Sequence, residues 1–138
     1  MVRDYKPGFV ILALCLSWLS DTGGYFAGRF FGKHKLYEAV SPKKTIEGAI
    51  GGLLGGVLGA VVGSVWYLKG QLPLTHAVPL ALIATALGQA GDLSESLLKR
   101  SVGVKDSGGI LPGHGGILDR VDAVMLTSSS VYLYLLWR

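Results

Sequence analysis

Four aspartates, Asp21, Asp92, Asp119 and Asp122, each fall within or at the end of an apolar run. A carboxylate near hydrocarbon costs about 2.5 to 3.5 kcal/mol at the centre of a membrane helix and less toward the interface, so a cation must compensate it. Asp119 and Asp122 are three apart, which puts both on one face of a helix starting near Leu118. Two adjacent carboxylates repel unless a cation joins them. Oxygen donors with no His or Cys cluster beside them favour Mg²⁺ over zinc, and Mg²⁺ takes one or two carboxylates together with substrate phosphates. Asp92, from a neighbouring helix, is the expected third ligand. The plainer role for these acids is ion pairing with Lys99, Arg100 and Arg120.

Between the acids runs Lys105 to Gly116, which holds five glycines together with Asp106 and His114. Glycine-rich turns that open onto a helix present unpaired N–H groups to phosphate, and Lys99, Arg100 and Lys105 add positive charge. His114, flanked by glycines, is placed to donate to a phosphate oxygen. A second polar stretch, Ser41-Pro42-Lys43-Lys44-Thr45, stands just before a helix start. Locally, Ser41 or Thr45 reads first as the cap of that helix, with Glu47 in its opening turn. Gly28 to His34 is not a Walker A loop, being one residue short and lacking the Ser/Thr that would bind Mg²⁺. His34, His76 and His114 lack helical metal spacing, and His76 is expected to be structural or interfacial.

The elements that must carry these groups are membrane helices. Half of the 138 residues are apolar, 21 are glycine, and the mean hydropathy is +0.47. A span needs roughly 20 largely apolar residues. Four such segments are predicted, at Gly8 to Phe31, Ile46 to Leu68, Leu72 to Leu98 and Leu118 to Trp137. This is an all-α, polytopic bundle of about four spanning helices with two polar loops, formed by one membrane-embedded domain over residues 1–138. It argues against a soluble nucleic-acid binder despite the high pI. The second segment carries glycines at 48, 52 and 56 and at 51, 55, 59 and 63, two small-xxx-small rows suited to close helix packing or to a homodimer contact. Pro79 is expected to kink the third helix. Cys15 lies in an apolar run and implies neither a disulfide nor a zinc site. No cleavable signal peptide is expected, because the first run ends in Ser20-Asp21-Thr22. Nine of the thirteen Lys and Arg residues fall in the two polar loops, which makes those loops cytoplasmic and the termini external.

Ser96, Leu98, Lys99, Arg100, Lys105, Asp106, Gly108, Leu111, Pro112, His114 to Ile117 and Asp119 to Asp122 together resemble the full signature of the phosphatidate cytidylyltransferase family. Ser20 to Tyr25 with Gly28, Arg29, Gly32 and Lys33, and Ser41 to Gly48, are similar to further stretches of it. The resemblance implies the reaction CTP + phosphatidate → CDP-diacylglycerol + pyrophosphate in the cell (inner) membrane, with the site facing the cytoplasm. It implies Mg²⁺ as cofactor, with a second cation as an option. Asp92, Lys99, Asp119 and Asp122 are the expected catalytic groups, and Asp92, Asp119 and Asp122, joined by Asp21, the metal ligands. Ser41, Lys44, Thr45, Arg100, Lys105, Asp106, His114, Gly115, Gly116 and Arg120 are the expected substrate contacts. Members of the family carry additional N-terminal spans, so this chain reads as a short form or a C-terminal catalytic part.

Three rivals have different consequences. CDP-archaeol synthase or a polyprenol kinase would use another lipid; a small ion or proton transporter would hold its acids near the bilayer midplane; a non-catalytic subunit would keep the motif without turnover.

Overall fold

The computed structural model describes residues 7–69, 71–103 and 118–137, and for 118–123 the backbone alone. Lys105, Asp106, His114, Gly115 and Gly116 lie outside the described residues. The chain runs α1 (Pro7–Phe31), β1 (Lys35–Tyr37), β2 (Ser41–Thr45), α2 (Ile46–Val62), a π-helical turn (Gly63–Tyr67), α3 (Leu74–Ser101) and α4 (Leu118–Trp137). All four predicted segments are helices. Three of them, with the π turn continuing α2 to Tyr67, are long and apolar enough to cross a membrane, and Val124–Trp137 forms a shorter apolar stretch.

Each helix buries one narrow stripe. In α1 it is Phe9, Leu12, Ala13, Leu16, Ser17 and Ser20; in α3 it is Ala77, Leu80, Ala81, Ala84, Thr85 and Gly88. Both follow the 3-4 spacing of a single helix face. Pro7 opens α1, where its missing N–H would have no helical partner. Pro79 lies within the continuous α3.

Neighbouring helices run antiparallel. Gly8 meets Leu68 at one end of the α1–α2 pair, while Gly28 meets Thr45 and Gly48 at the other. Thr85 lies against Gly56, and the Gln89 amide donates to the Ala49 carbonyl at 3.1 Å, which fixes α3 against α2. Leu126 abuts Gly91, and the Tyr134 hydroxyl lies 3.0 Å from His76 Nδ1, which fixes α4 against α3 and gives His76 its structural role.

The two glycine rows of α2 work within the chain. Side-chain atoms added at Gly51, Gly55 and Gly59 would meet Gly23, Leu19 and Cys15 of α1, and atoms added at Gly52 and Gly56 would meet Gln89 and Thr85 of α3. Ile50, Leu54, Leu58 and Trp66 point outward and are exposed. Small residues inside and large apolar residues outside is the arrangement of helices whose surroundings are lipid, where close backbone approach holds the bundle.

Two local features go beyond the predicted elements. Leu68 N–H donates to the Gly63 carbonyl at 3.0 Å, a π-type bond that ends the second span, and Ser64 Oγ donates to the Leu72 carbonyl at 2.6 Å to close the turn. The first polar loop holds an antiparallel hairpin, pairing Lys35 with Thr45 and Tyr37 with Ser41 across a bulge. Its base is clasped where Glu47 accepts from His34 N–H and lies 2.7 Å from His34 Nδ1.

Candidate active site

The hairpin sits over the end of the bundle and brings the first polar loop to the side chains of α1 and α3. Along α1, Asp21, Gly24, Tyr25, Gly28 and Arg29 follow i, i+3, i+4, i+7, i+8 and share one face. Along α3, Gln89 and Asp92 continue the face of buried Thr85. Between these faces, β2 and the first turn of α2 lies a cavity of about 400 Å³, lined by Asp21, Arg29, Lys43, Lys44, Gln89 and Asp92 among others. The N-terminus of α2 forms part of its wall through Thr45, Gly48 and Ala49, adding the positive end of a helix dipole.

The central contact is an ion pair across the cavity. Lys44 Nζ donates to Asp92 Oδ2 at 2.5 Å, with the two side chains 29% and 47% exposed. Asp21 lines the same space. Counting 1.5 Å per residue, Asp21 and Asp92 lie roughly 14 to 15 Å from the hairpin-side ends of their helices. Arg29, in the last turn of α1, lies nearer that end and donates from Nη1 to the Tyr25 hydroxyl at 2.8 Å.

Below the cavity a second space of about 30 Å³ is lined by Ser17, Ser20, Thr85 and Thr127 together with Asp21, Gln89 and Asp92. That is room for a water-sized guest among hydroxyl and carboxylate oxygens.

The other expected site residues divide. Thr45 is the N-cap of α2, its hydroxyl accepting from Gly48 N–H at 3.1 Å, so the local reading as a cap holds while the side chain also borders the cavity. Ser41 opens β2 opposite Tyr37. Lys99 lies 3.5 Å from Glu95 one turn back on α3. Arg100 Nε donates to the Val40 carbonyl at 3.5 Å, tying the hairpin tip to the end of α3. Asp119, Arg120 and Asp122 lie in the first turns of α4, and their side chains are outside the described residues.

The donor set suits Mg²⁺. Two carboxylates with neighbouring hydroxyl and amide oxygens are hard ligands, and a cation, the Lys44 ammonium, already stands against Asp92. Among the described residues no three His, Cys, Asp or Glu side chains converge into a complete cluster. A full set would need the α4 aspartates.

Arg29, Tyr25 and Lys43 were not among the expected site residues, though the spacing from Asp21 to Arg29 carried the signal for the first two. The hydroxyls of Ser17, Ser20, Thr85 and Thr127 had the same legible cue, polar groups at helical spacing within apolar runs.

Residues 3–137 match the model of the cytidylyltransferase family. Over 117 residues the chain is 44% identical to a protein of Staphylococcus saprophyticus named phosphatidate cytidylyltransferase, covering 85% of this chain and 45% of that one. A Staphylococcus haemolyticus protein of the same name is 45% identical over the same length and shares. The Bacillus subtilis phosphatidate cytidylyltransferase is 43% identical over 134 residues, covering 96% of this chain and 49% of the relative. The chain therefore spans about half the length of the curated relatives it matches.

Proposed function

The chain belongs to the cytidylyltransferase family, and we propose on that footing that it transfers CMP from CTP to phosphatidate, releasing pyrophosphate and forming CDP-diacylglycerol. The observation that carries this reading is the cavity, where acids from α1 and α3 face cations from β2 and α1 inside an otherwise apolar bundle. The chemistry asks for such a place. The nucleophile, a phosphate oxygen of the lipid, is already anionic at neutral pH and needs no strong base. The difficulty is to bring two polyanions together and to stabilise the charge growing on pyrophosphate, which is work for positioned cations and dipoles.

Lys44 holds Asp92 in place and offers a donor to phosphate from the other face of its ammonium. The N-terminus of α2 aims its dipole at the same space. Lys99, Arg100, Lys105 and Arg120, with Asp106, His114, Gly115 and Gly116, would serve the nucleotide from the second polar loop. Mg²⁺, held by Asp92 and Asp21 with Asp119 and Asp122, would supply charge neutralisation at the triphosphate, and a second cation fits the same acidic surroundings. The basic loops face the cytoplasm, where CTP is met, and the outer apolar stripes face the lipid of the cell membrane.

The test is reconstitution of purified protein in mixed micelles with labelled CTP, phosphatidate and Mg²⁺. Lipid-linked CMP should form, disappear with EDTA and return with added Mg²⁺. Asp92→Asn should lower turnover by about 100-fold or more, the scale of removing one preorganised electrostatic group. Absence of product from the wild type would overturn the reading. Turnover that survived Asp119→Asn and Asp122→Asn together would remove those residues from the metal set.

A further inference from the structure

We infer that Arg29 and Lys43 form the seat of the lipid phosphate, so that phosphatidate lies against α1 and the hairpin. The inference deepens the proposed function and rests on it. Three cationic side chains line the cavity, and only Lys44 is engaged by a carboxylate; among the described residues none pairs with Arg29 or Lys43. Two such cations lining one cavity, from α1 and β2, are matched to a phosphomonoester dianion.

The surroundings favour a lipid over a nucleotide there. Arg29 is set within an apolar, aromatic run: Phe26, Phe30 and Phe31 are 52%, 70% and 69% exposed, and the Phe26 and Phe30 rings stack at 6.2 Å. Gly24, Gly28 and Leu36 also line the cavity and offer acyl ester and glycerol groups an apolar surface. Arg29 also lies in the last turn of α1, at the end of a helix long and apolar enough to cross a membrane, with its guanidinium oriented by the Tyr25 hydroxyl. A phosphate held there shares one cavity with Asp92, toward which the metal-bound nucleotide would be presented.

The deciding experiment uses the full chain in phosphatidylcholine vesicles containing a photoactivatable phosphatidate, first without CTP. Labelling of the wild type should fall about tenfold in Arg29→Gln with Lys43→Gln. It should persist in Arg29→Lys and in the distant Lys69→Gln, with thermal unfolding midpoints unchanged. In turnover assays the double variant should raise the KM for phosphatidate about tenfold while the KM for CTP stays within about twofold. Unchanged labelling, or a rise in the KM for CTP instead, would overturn the seat and leave the proposed reaction standing. Loss of labelling in the variant beside a wild type that makes no lipid-linked CMP would uphold the seat and overturn the reaction.

Discussion

Lys44 and Asp92 are 48 positions apart and meet across the cavity. Asp92 stood out in the sequence because a carboxylate in an apolar run demands a partner; which partner was not legible, since the pairing depends on how three elements fold together. The sequence offered Lys99 and Arg100 as cations near the acids, and Lys99 also meets Glu95 one turn away because the two groups share a helix face. The Lys44–Asp92 pair is partly exposed and so adds about 1 kcal/mol or less to stability. Lys44→Gln should therefore lower turnover with almost no change in thermal unfolding, a separation that parallel activity and melting measurements would reveal. Thr45 should behave in the opposite sense. Removing its cap in Thr45→Ala should cost about 1 kcal/mol of stability, and Thr45→Ser should restore it; a KM change without a melting change would instead mark Thr45 as a substrate contact.

At the level of elements, all four helices were legible because long apolar runs have few alternatives in lipid. The hairpin was not. Lys35–Tyr37 is three residues long, and Ser41–Thr45 contains a proline and two lysines, so neither has the composition of a strand. Contacts distant in sequence hold them, the His34–Glu47 clasp at the base and Arg100 on Val40 at the tip. The glycine rows were legible as packing, but their partners were not, because a glycine gives no sign of what approaches it. Their energetic weight is testable. In Gly55→Val the new side chain would fall on the Leu19 carbonyl, a backbone atom that cannot give way, and should destabilise by about 1 to 3 kcal/mol or more. Gly8→Ala meets only the flexible end of Leu68 and should cost about 1 kcal/mol or less. Thermal unfolding in a fixed detergent compares the two.

Across the whole molecule, the antiparallel order places the hairpin and the C-terminal end of α3 at one end of the bundle and the turn before Leu74 at the other. In a Cys15→Ser background, Glu38→Cys should be shielded from an impermeant maleimide in intact cells and labelled in inverted vesicles, and Leu74→Cys should show the reverse. The α1–α2 seam also bears on how the protein is made. Its contacts lie within residues 8 to 68, and every glycine along the α1 side of α2 finds its partner in the helix just before it. The first two spans can thus zip together at the insertion machinery while α3 is still in the ribosome. At that moment Lys44 has no Asp92 to meet. The site closes when the third span arrives, so arrest of synthesis before residue 92 leaves a docked helical hairpin with its charged wall complete and its acid still missing.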